Sequence, residues 1–237
     1  HNKTCVAAST MVSDGNVVVA QFSSNDIFCL DLKGNLIWLR GLTFDYPNIA
    51  NGLGMSSSPV VAQGVLVSQV ENDADSFTFG LNLKNGTTLW KKDRPRGANW
   101  TSPIVLKNKS FEWVGLQSKE GISFLKPVNG EFMWQYKDGA STIPSSAISF
   151  ENKTLLVPSN GLTALRTPEY GQNPEQLWRN NKLAPGTGSP AISGDQVFVI
   201  NRANVLTSAS IKTGEINWRL RMKGPISGSP IVTSNLL

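Results

Sequence analysis

Few residues in this 237-residue sequence are of the types that perform metal or nucleophile chemistry. A single histidine, His1, and two cysteines, Cys5 and Cys29, fall short of a four-ligand zinc site and of the histidine-based dyads of acyl transfer. The cysteines are too far apart in sequence to form a vicinal ring; a disulfide between them and two small buried thiols both stay open. The run Glu71-Asn72-Asp73-Ala74-Asp75-Ser76 resembles the first half of an alternating-aspartate calcium loop. It lacks the glycine and the distant bidentate glutamate of a complete loop, and reads as a solvated hairpin tip. No catalytic, cofactor-binding or metal-ligating residue is expected from this inventory.

Positive charge is the feature that remains. The chain carries a net +5. Eleven Lys/Arg (Arg40, Lys91, Lys92, Arg94, Arg96, Lys137, Arg179, Lys182, Arg219, Arg221, Lys223) and three acids (Asp45, Asp93, Asp138) fall in five short segments, a local net of +8. Within KKDRPRGANW, Trp100 sits beside Arg94 and Arg96, the combination typical of an interaction hot spot. Arg94, Arg96, Trp100, Arg179, Arg219 and Arg221 are the candidate partner-binding residues, suited to a protein with an acidic surface or to an anionic ligand. The competing reading places these cations on outermost strands, where they discourage edge pairing. Nucleic acid is disfavoured, because no basic stripe is interleaved with aromatics.

The elements that must position these residues are written in a repeat. Five of the seven tryptophans close a Gly-x-x-x-Trp unit or its degenerate copy: Trp38, Trp90, Trp134, Trp178 and Trp218, spaced 52, 44, 44 and 40 residues apart. A second marker keeps step: Ser58-Pro59, Ser102-Pro103, Ser189-Pro190 and Ser229-Pro230, with Ser146-Ala147 and Ser9-Thr10 as weaker copies. Between markers, short β-branched runs alternate with Gly/Asn/Asp turns. SPAISGDQVFVINRANVLTSASIKTGEINW reads as four strands: PAIS, QVFVI, VLTSAS and EINWRLR. No stretch carries a helical stripe. Four strands per period, repeated, is the sequence form of an all-β propeller with about five full blades. The charged segments are then the links from each fourth strand to the next first strand, gathered on one funnel-side face. Each recurrent Trp is read as an inter-blade packing residue and its Gly as a turn with positive φ. Off-register Trp113 is read as packing.

Hydrophobic residues at 40% and charged ones at 16% exclude a disordered chain. No apolar run approaches the ~20 residues of a membrane-spanning helix. The sequence opens at His1 without a signal peptide, so a targeting segment is expected to be absent or removed. Five Asn-x-Ser/Thr sequons, at Asn2, Asn85, Asn99, Asn108 and Asn152, match what so Asn- and Ser/Thr-rich a chain yields at random.

The segments CLDLKGNLIW, GLNLKNGTTLW and SASIKTGEINW, each followed by a Ser-Pro-hydrophobic start, resemble the repeat of the PQQ-like, quinoprotein-type β-propellers, in particular their non-enzymatic BamB-like members. The consensus Asp survives as Asp31 and becomes Asn82, Lys126, Arg166 and Ser210, which points to a scaffold rather than a repeated ligand code. The resemblance implies one propeller domain over 1–237, with blades near 9–57, 58–101, 102–145, 146–188 and 189–228 and a partial blade at 229–237. It implies a fragment of a larger ring of about seven or eight blades; an open arc or small ring of five is the other arrangement. The expected function is a non-catalytic scaffold binding a protein or an anionic ligand outside the cytoplasm, in the periplasm, at the cell surface or secreted. The alternative is a PQQ-dependent dehydrogenase with PQQ and Ca²⁺ held partly by blades outside this sequence.

Overall fold

A computed structural model describes residues 8–49, 55–149, 151 and 153–233. Among them are five four-stranded antiparallel sheets, each made of four consecutive strands. The first holds β1 (Val12–Ser13), β2 (Val17–Gln21), β3 (Asp26–Asp31) and β4 (Leu36–Gly41). The second holds β5 (Val60–Ala62), β6 (Val65–Val70), β7 (Phe77–Asn82) and β8 (Thr88–Asp93). The third holds β9 (Ile104–Lys107), β10 (Glu112–Ser118), β11 (Gly121–Leu125) and β12 (Phe132–Tyr136). The fourth holds β13 (Ala147–Ser149), β14 (Thr154–Val157), β15 (Leu162–Arg166) and β16 (Gln176–Asn180). The fifth holds β17 (Ala191–Ser193), β18 (Gln196–Ile200), β19 (Val205–Ser210) and β20 (Ile216–Arg221), the four strands expected from its sequence. Helix among the described residues is one turn at Leu42–Asp45 and a 3-10 turn at Asn181–Leu183.

Burial separates inner strands from outer ones. Every residue of β6 is buried, whereas β8 buries only Trp90. An inner strand covered on both faces needs a continuous apolar run, which Val65-Leu66-Val67 supplies. The other five side chains of β8 face solvent.

The chain divides into two compact units, residues 1–116 with 124–133, and residues 117–123 with 134–237. In the first unit, the ring of Trp38 lies on Gly86 and its indole N–H donates to Leu83 O at 2.9 Å. Trp90 repeats this on Gly130, donating to Pro127 O at 2.7 Å. In the second unit Trp178 lies on Gly214 and donates to Ile211 O at 2.8 Å. Each Gly has φ near +70 (Gly86 70°, Gly130 67°, Gly214 72°), the left-handed region where a Cβ is costly. A Cβ would also stand 2.8, 2.8 and 2.5 Å from the indole rings, respectively. The tryptophan of one sheet therefore seals on the third-to-fourth-strand turn of the next sheet, not on the turn of its own hairpin.

The residue paired opposite the tryptophan is small: Cys29 faces Trp38, Gly80 faces Trp90, Ala164 faces Trp178 and Ser208 faces Trp218. In all four pairs the strand register slips immediately after that residue. The slip turns the large ring toward the neighbouring sheet, the usual work of a bulge. Cys29 is a buried thiol whose ionisation burial pushes up, and it points at Leu83 O. Cys5 and its pairing lie outside the described residues, as do the sequons at Asn2 and Asn152.

First strands are tied by a second repeating contact. The N–H of Thr10 donates to Ser58 Oγ and that of Ser58 to Ser102 Oγ, both at 2.9 Å. In the second unit, Ser145 N–H donates to Ser189 Oγ at 2.9 Å and Ser189 N–H to Ser229 Oγ at 2.8 Å. This corrects the register of the two weaker markers. The serine positions are Thr10 and Ser145, with Met11 and Ser146 where proline stands elsewhere. Pro59, Pro103 and Pro190 each precede a first strand, where a missing N–H breaks no ladder bond.

The worn Asp position is explained by the same turns. Asp31 accepts from the N–H groups of Lys33 and Asn35, and Asn82 from that of Lys84. Where the position is Lys126 or Arg166, an ion pair to Glu131 or Glu175 bridges the turn instead. Trp113 is 2% exposed and stacks on Phe111, as its packing role requires.

Trp90→Ala is expected to cost about 3–5 kcal/mol, and Gly86→Val to cost a comparable amount, in urea unfolding. A loss below about 1 kcal/mol for either would show that the Trp–Gly joint is not what holds neighbouring sheets together.

Candidate functional site

Because each sheet runs up and down in chain order, its second-to-third-strand turn and its fourth-to-first link share one end. The Trp–Gly joints occupy the other. The expected basic residues therefore sort by strand. Arg40, Lys91, Lys92, Arg179, Arg219 and Arg221 lie within fourth strands, while Arg94, Arg96, Lys137, Lys182 and Lys223 follow them in links. The charged segments thus comprise strand residues and link residues in nearly equal number.

In the first unit, Arg94 is not a free contact residue. Its Nε donates to Glu71 Oε1 at 2.6 Å, with the two side chains 9% and 2% exposed. Glu71 Oε2 accepts from Asn99 Nδ2 at 2.8 Å, and Asn99 Oδ1 accepts from the Thr101 N–H at 3.0 Å and from its hydroxyl at 2.8 Å. Gln69 Nε2 closes the chain by donating to Thr101 O and, at 3.0 Å, to Thr101 Oγ1. The link 94–101 is thereby stapled to the turn 71–76, where Ser76 Oγ donates to Pro95 O and the Gly97 N–H donates to Asn72 O, both at 2.9 Å. The acidic run is consequently not a solvated tip: Glu71, Asn72 and Ser76 are buried, leaving only Asp73 and Asp75 exposed. The buried cation Arg94 draws Glu71 in, because a charge out of water must be paired. Arg96 is exposed and, with Lys91, Asp93, Asp75 and Phe77, lines a hollow of about 340 Å³. Lys91 lies over the Phe77 ring, 4.4 Å from its centroid. Trp100 is half-buried at the foot of the same link.

In the second unit, the hydroxyl of Tyr136 donates to Asp138 at 3.0 Å, and Arg179 reaches both residues and Thr163 Oγ1. The Arg179 guanidinium and the Tyr136 hydroxyl hold the Asp138 carboxyl below its usual range, and Asp138 in turn raises Arg179. Burial is the main cause that pushes Tyr136 up. Beside this group opens a hollow of about 310 Å³, walled by Lys119, Asp138, Ser141, Pro144, Ser159 and Asn160. Gln117 braces its floor, donating to Ser141 O at 2.6 Å and Pro144 O at 2.9 Å while accepting from Ser146 Oγ. A third hollow, of about 470 Å³, lies among Gly186, Thr187, Asn201, Arg202, Asn204 and Ile226. Arg219 and Arg221 stand exposed on β20, two residues apart on one face. The six expected contact residues are thus one staple (Arg94), one latch (Arg179), one half-buried anchor (Trp100) and three exposed cations.

Sequence reasoning missed the glutamines. Gln21, Gln69 and Gln117 recur every 48 residues at the end of a second strand, and all three are buried. A polar residue closing an apolar β-run once per repeat was the available signal. Among the described residues no three His, Cys, Asp or Glu side chains gather as metal donors.

Glu71→Ala should cost about 3–5 kcal/mol, because it strands Arg94, with urea unfolding as the measure. The pH dependence follows from Asp138. Its folded pKa lies below the ordinary aspartate value, so its stabilisation is complete above that ordinary value and disappears as pH falls through the folded one. Asp138→Asn is expected to lower Tm at neutral pH and to flatten the acid limb of Tm against pH. An unchanged acid limb would remove this ion pair from the account.

The profile of the family described as outer membrane protein assembly factor BamB matches residues 170–237. An outer membrane protein assembly factor BamB of Legionella pneumophila (strain Paris) is 25% identical over 194 residues, covering 76% of this chain and 47% of that protein. The chain thus spans about half the length of that curated relative. The crystal structure of BamB from Moraxella catarrhalis aligns with a TM-score of 0.55 at 14% identity, over 94% of this chain and 80% of that one. The quinohemoprotein alcohol dehydrogenase ADHIIG of Pseudomonas putida HK5 aligns with a TM-score of 0.68 at 14% identity, over 95% of this chain and 44% of that one. At such identities both structures speak for the fold alone. Repeats, sheet order and likenesses agree: the chain is a PQQ-like repeat β-propeller, BamB-like in its sequence.

Proposed function

We propose that this chain is a non-catalytic scaffold acting outside the cytoplasm, which binds a protein partner through the end of its blades that carries the links and the second-to-third-strand turns. The observation that carries the reading is the hydrogen-bonded bracing of that end. In the first unit link 94–101 is held from beneath by Gln69 and Glu71, and in the second link 138–146 by Gln117, so the outer atoms of each link are fixed. Rigid loops lower the ordering cost of association, which is the requirement for a docking surface. The sequence likeness to outer membrane protein assembly factors supports the same role. Among the described residues no helix is long and apolar enough to cross a membrane.

The partner surface complementary to this relief is acidic. Arg96, Lys119 and Arg202 border the three hollows, and they would steer such a surface and add salt dependence to its binding. An anionic small ligand is the lesser form of the same chemistry.

The test is binding of the purified chain to purified outer-membrane assembly components and to an unfolded outer-membrane β-barrel protein, read by interferometry across salt concentrations. Charge reversal at Arg96, Lys119 and Arg202 together is expected to weaken capture roughly tenfold or more while leaving Tm unchanged. Salt-independent binding indifferent to these changes would sink the basic-face reading. Dye reduction by the chain with PQQ, Ca²⁺ and an alcohol would replace the scaffold with an oxidoreductase.

A further inference from the structure

Three Asn-Gly pairs fall among the described residues: Asn85-Gly86, Asn129-Gly130 and Asn160-Gly161. A fourth, Asn51-Gly52, lies outside them. Each pair sets an electrophile, the asparagine Cγ, beside a backbone nitrogen that no side chain shields. Ring closure between the two needs that nitrogen released from hydrogen bonding and the carboxamide free to turn toward it.

Two of the pairs are locked. The Gly86 N–H donates to Asn82 O at 2.8 Å, and the Gly130 N–H to Lys126 O at 2.9 Å. Their carboxamides are held as well. Asn85 Oδ1 accepts from the Thr87 N–H at 3.1 Å and from its hydroxyl at 2.8 Å, and Asn129 Oδ1 accepts from the Glu131 N–H at 3.0 Å. Both glycines are buried beneath indoles, those of Trp38 and Trp90. Ring closure there would have to break the turn and lift the glycine from its tryptophan.

The pair Asn160-Gly161, in the second unit, is held differently. It lies in the turn between β14 and β15 with both residues at positive φ, 49° and 94°, a region that asparagine and glycine tolerate best. The flanks of the turn are anchored: the Ser159 N–H donates to Val157 O, Ser159 Oγ to Asp138 O and Thr163 Oγ1 to Ser159 O. The pair itself is not. Among the described residues, neither the Asn160 carboxamide nor the Gly161 N–H makes a hydrogen bond, and Asn160 is exposed. Glycine is required at the second place, since a Cβ there would stand 2.4 Å from Asn180 O.

We propose that Asn160 is a deamidation site of the folded chain, converted by water to aspartate and isoaspartate, while Asn85 and Asn129 are spared. The Gly161 nitrogen attacks Asn160 Cγ and forms the N–C bond of a succinimide. The bond from Cγ to the amide nitrogen breaks, and ammonia leaves with the proton from the glycine nitrogen. Water then opens either imide C–N bond, giving the α- or the β-linked acid with no oxidant or reductant. A neutral amide becomes a carboxylate in the hollow that Asn160 lines together with Lys119, so the added charge opposes that of the lysine. The β-linked product also lengthens the main chain where Gly161 packs on Asn180 and Asn181.

The test is peptide mapping of the intact chain after incubation at mildly alkaline pH, in buffer and in urea, with electron-transfer fragmentation to separate aspartate from isoaspartate. In buffer Asn160 is expected to convert roughly tenfold or more faster than Asn85 and Asn129, the factor lost where a hydrogen bond must open first. In urea the three rates should converge. Conversion of Asn160 in buffer no faster than that of Asn85 and Asn129 overturns the proposal. So does an excess at Asn160 that persists undiminished in urea, which would assign it to neighbours in sequence rather than to the fold.

Discussion

One packing contact organises this molecule: an indole pressed on a glycine that can carry no side chain. It joins dispersion, a hydrogen bond and a backbone constraint at one point. The indole supplies a large buried surface, its N–H finds a fixed carbonyl, and the glycine provides both the left-handed turn and the clearance. The rest of each blade serves this contact. The small residue opposite the tryptophan and the register slip after it aim the ring outward, and the serine contact between first strands sets the spacing on the opposite edge. Within a unit, a sheet therefore depends on its neighbour for the contact that fixes it.

Much of this was legible before any coordinates. Tryptophan and glycine recur in phase, and apolar runs broken by Gly/Asn/Asp turns gave the strands of the fifth sheet nearly residue for residue. What stayed hidden were pairings across a period. Gly86 and Trp90 share one sequence motif and the tryptophan reads as an inter-blade residue, but nothing in the motif says that the ring seated on Gly86 belongs to Trp38. The same blindness applied to Glu71 and Arg94. Lying far apart in sequence, they read separately as a solvated turn and an exposed hot spot, and only the shared end of the sheet makes them a buried pair. Ser145 was misregistered by one residue because Ser146 is also a serine, and side-chain identity could not distinguish them.

The division of labour between the two ends explains where sequence is free to vary. The joint end repeats one geometry, so its turns are short and its residues few in kind. At the link end two connections are braced in different ways: Gln69 holds Thr101 in one, and Gln117 on Ser141 and Pro144 with Arg179 on Asp138 hold the other. These are different solutions to one demand, that a long connection be held still while its outer atoms stay available. Binding surfaces arise where loops vary over a fixed scaffold, and here buried side-chain hydrogen bonds fix two of the loops from beneath.

The displacement of each glycine by one period from its tryptophan bears on how such chains grow. The second sheet shows both halves: it gives Trp90 to its successor and offers Gly86 to its predecessor, so neither contact is completed within the sheet itself. At the three joints on Gly86, Gly130 and Gly214, repeating a whole period would place a tryptophan on a glycine turn of the same geometry. Cutting anywhere else separates the two halves of a joint. The unit that carries both halves of such a joint is therefore defined by phase, one period long, rather than by the limits of a single sheet.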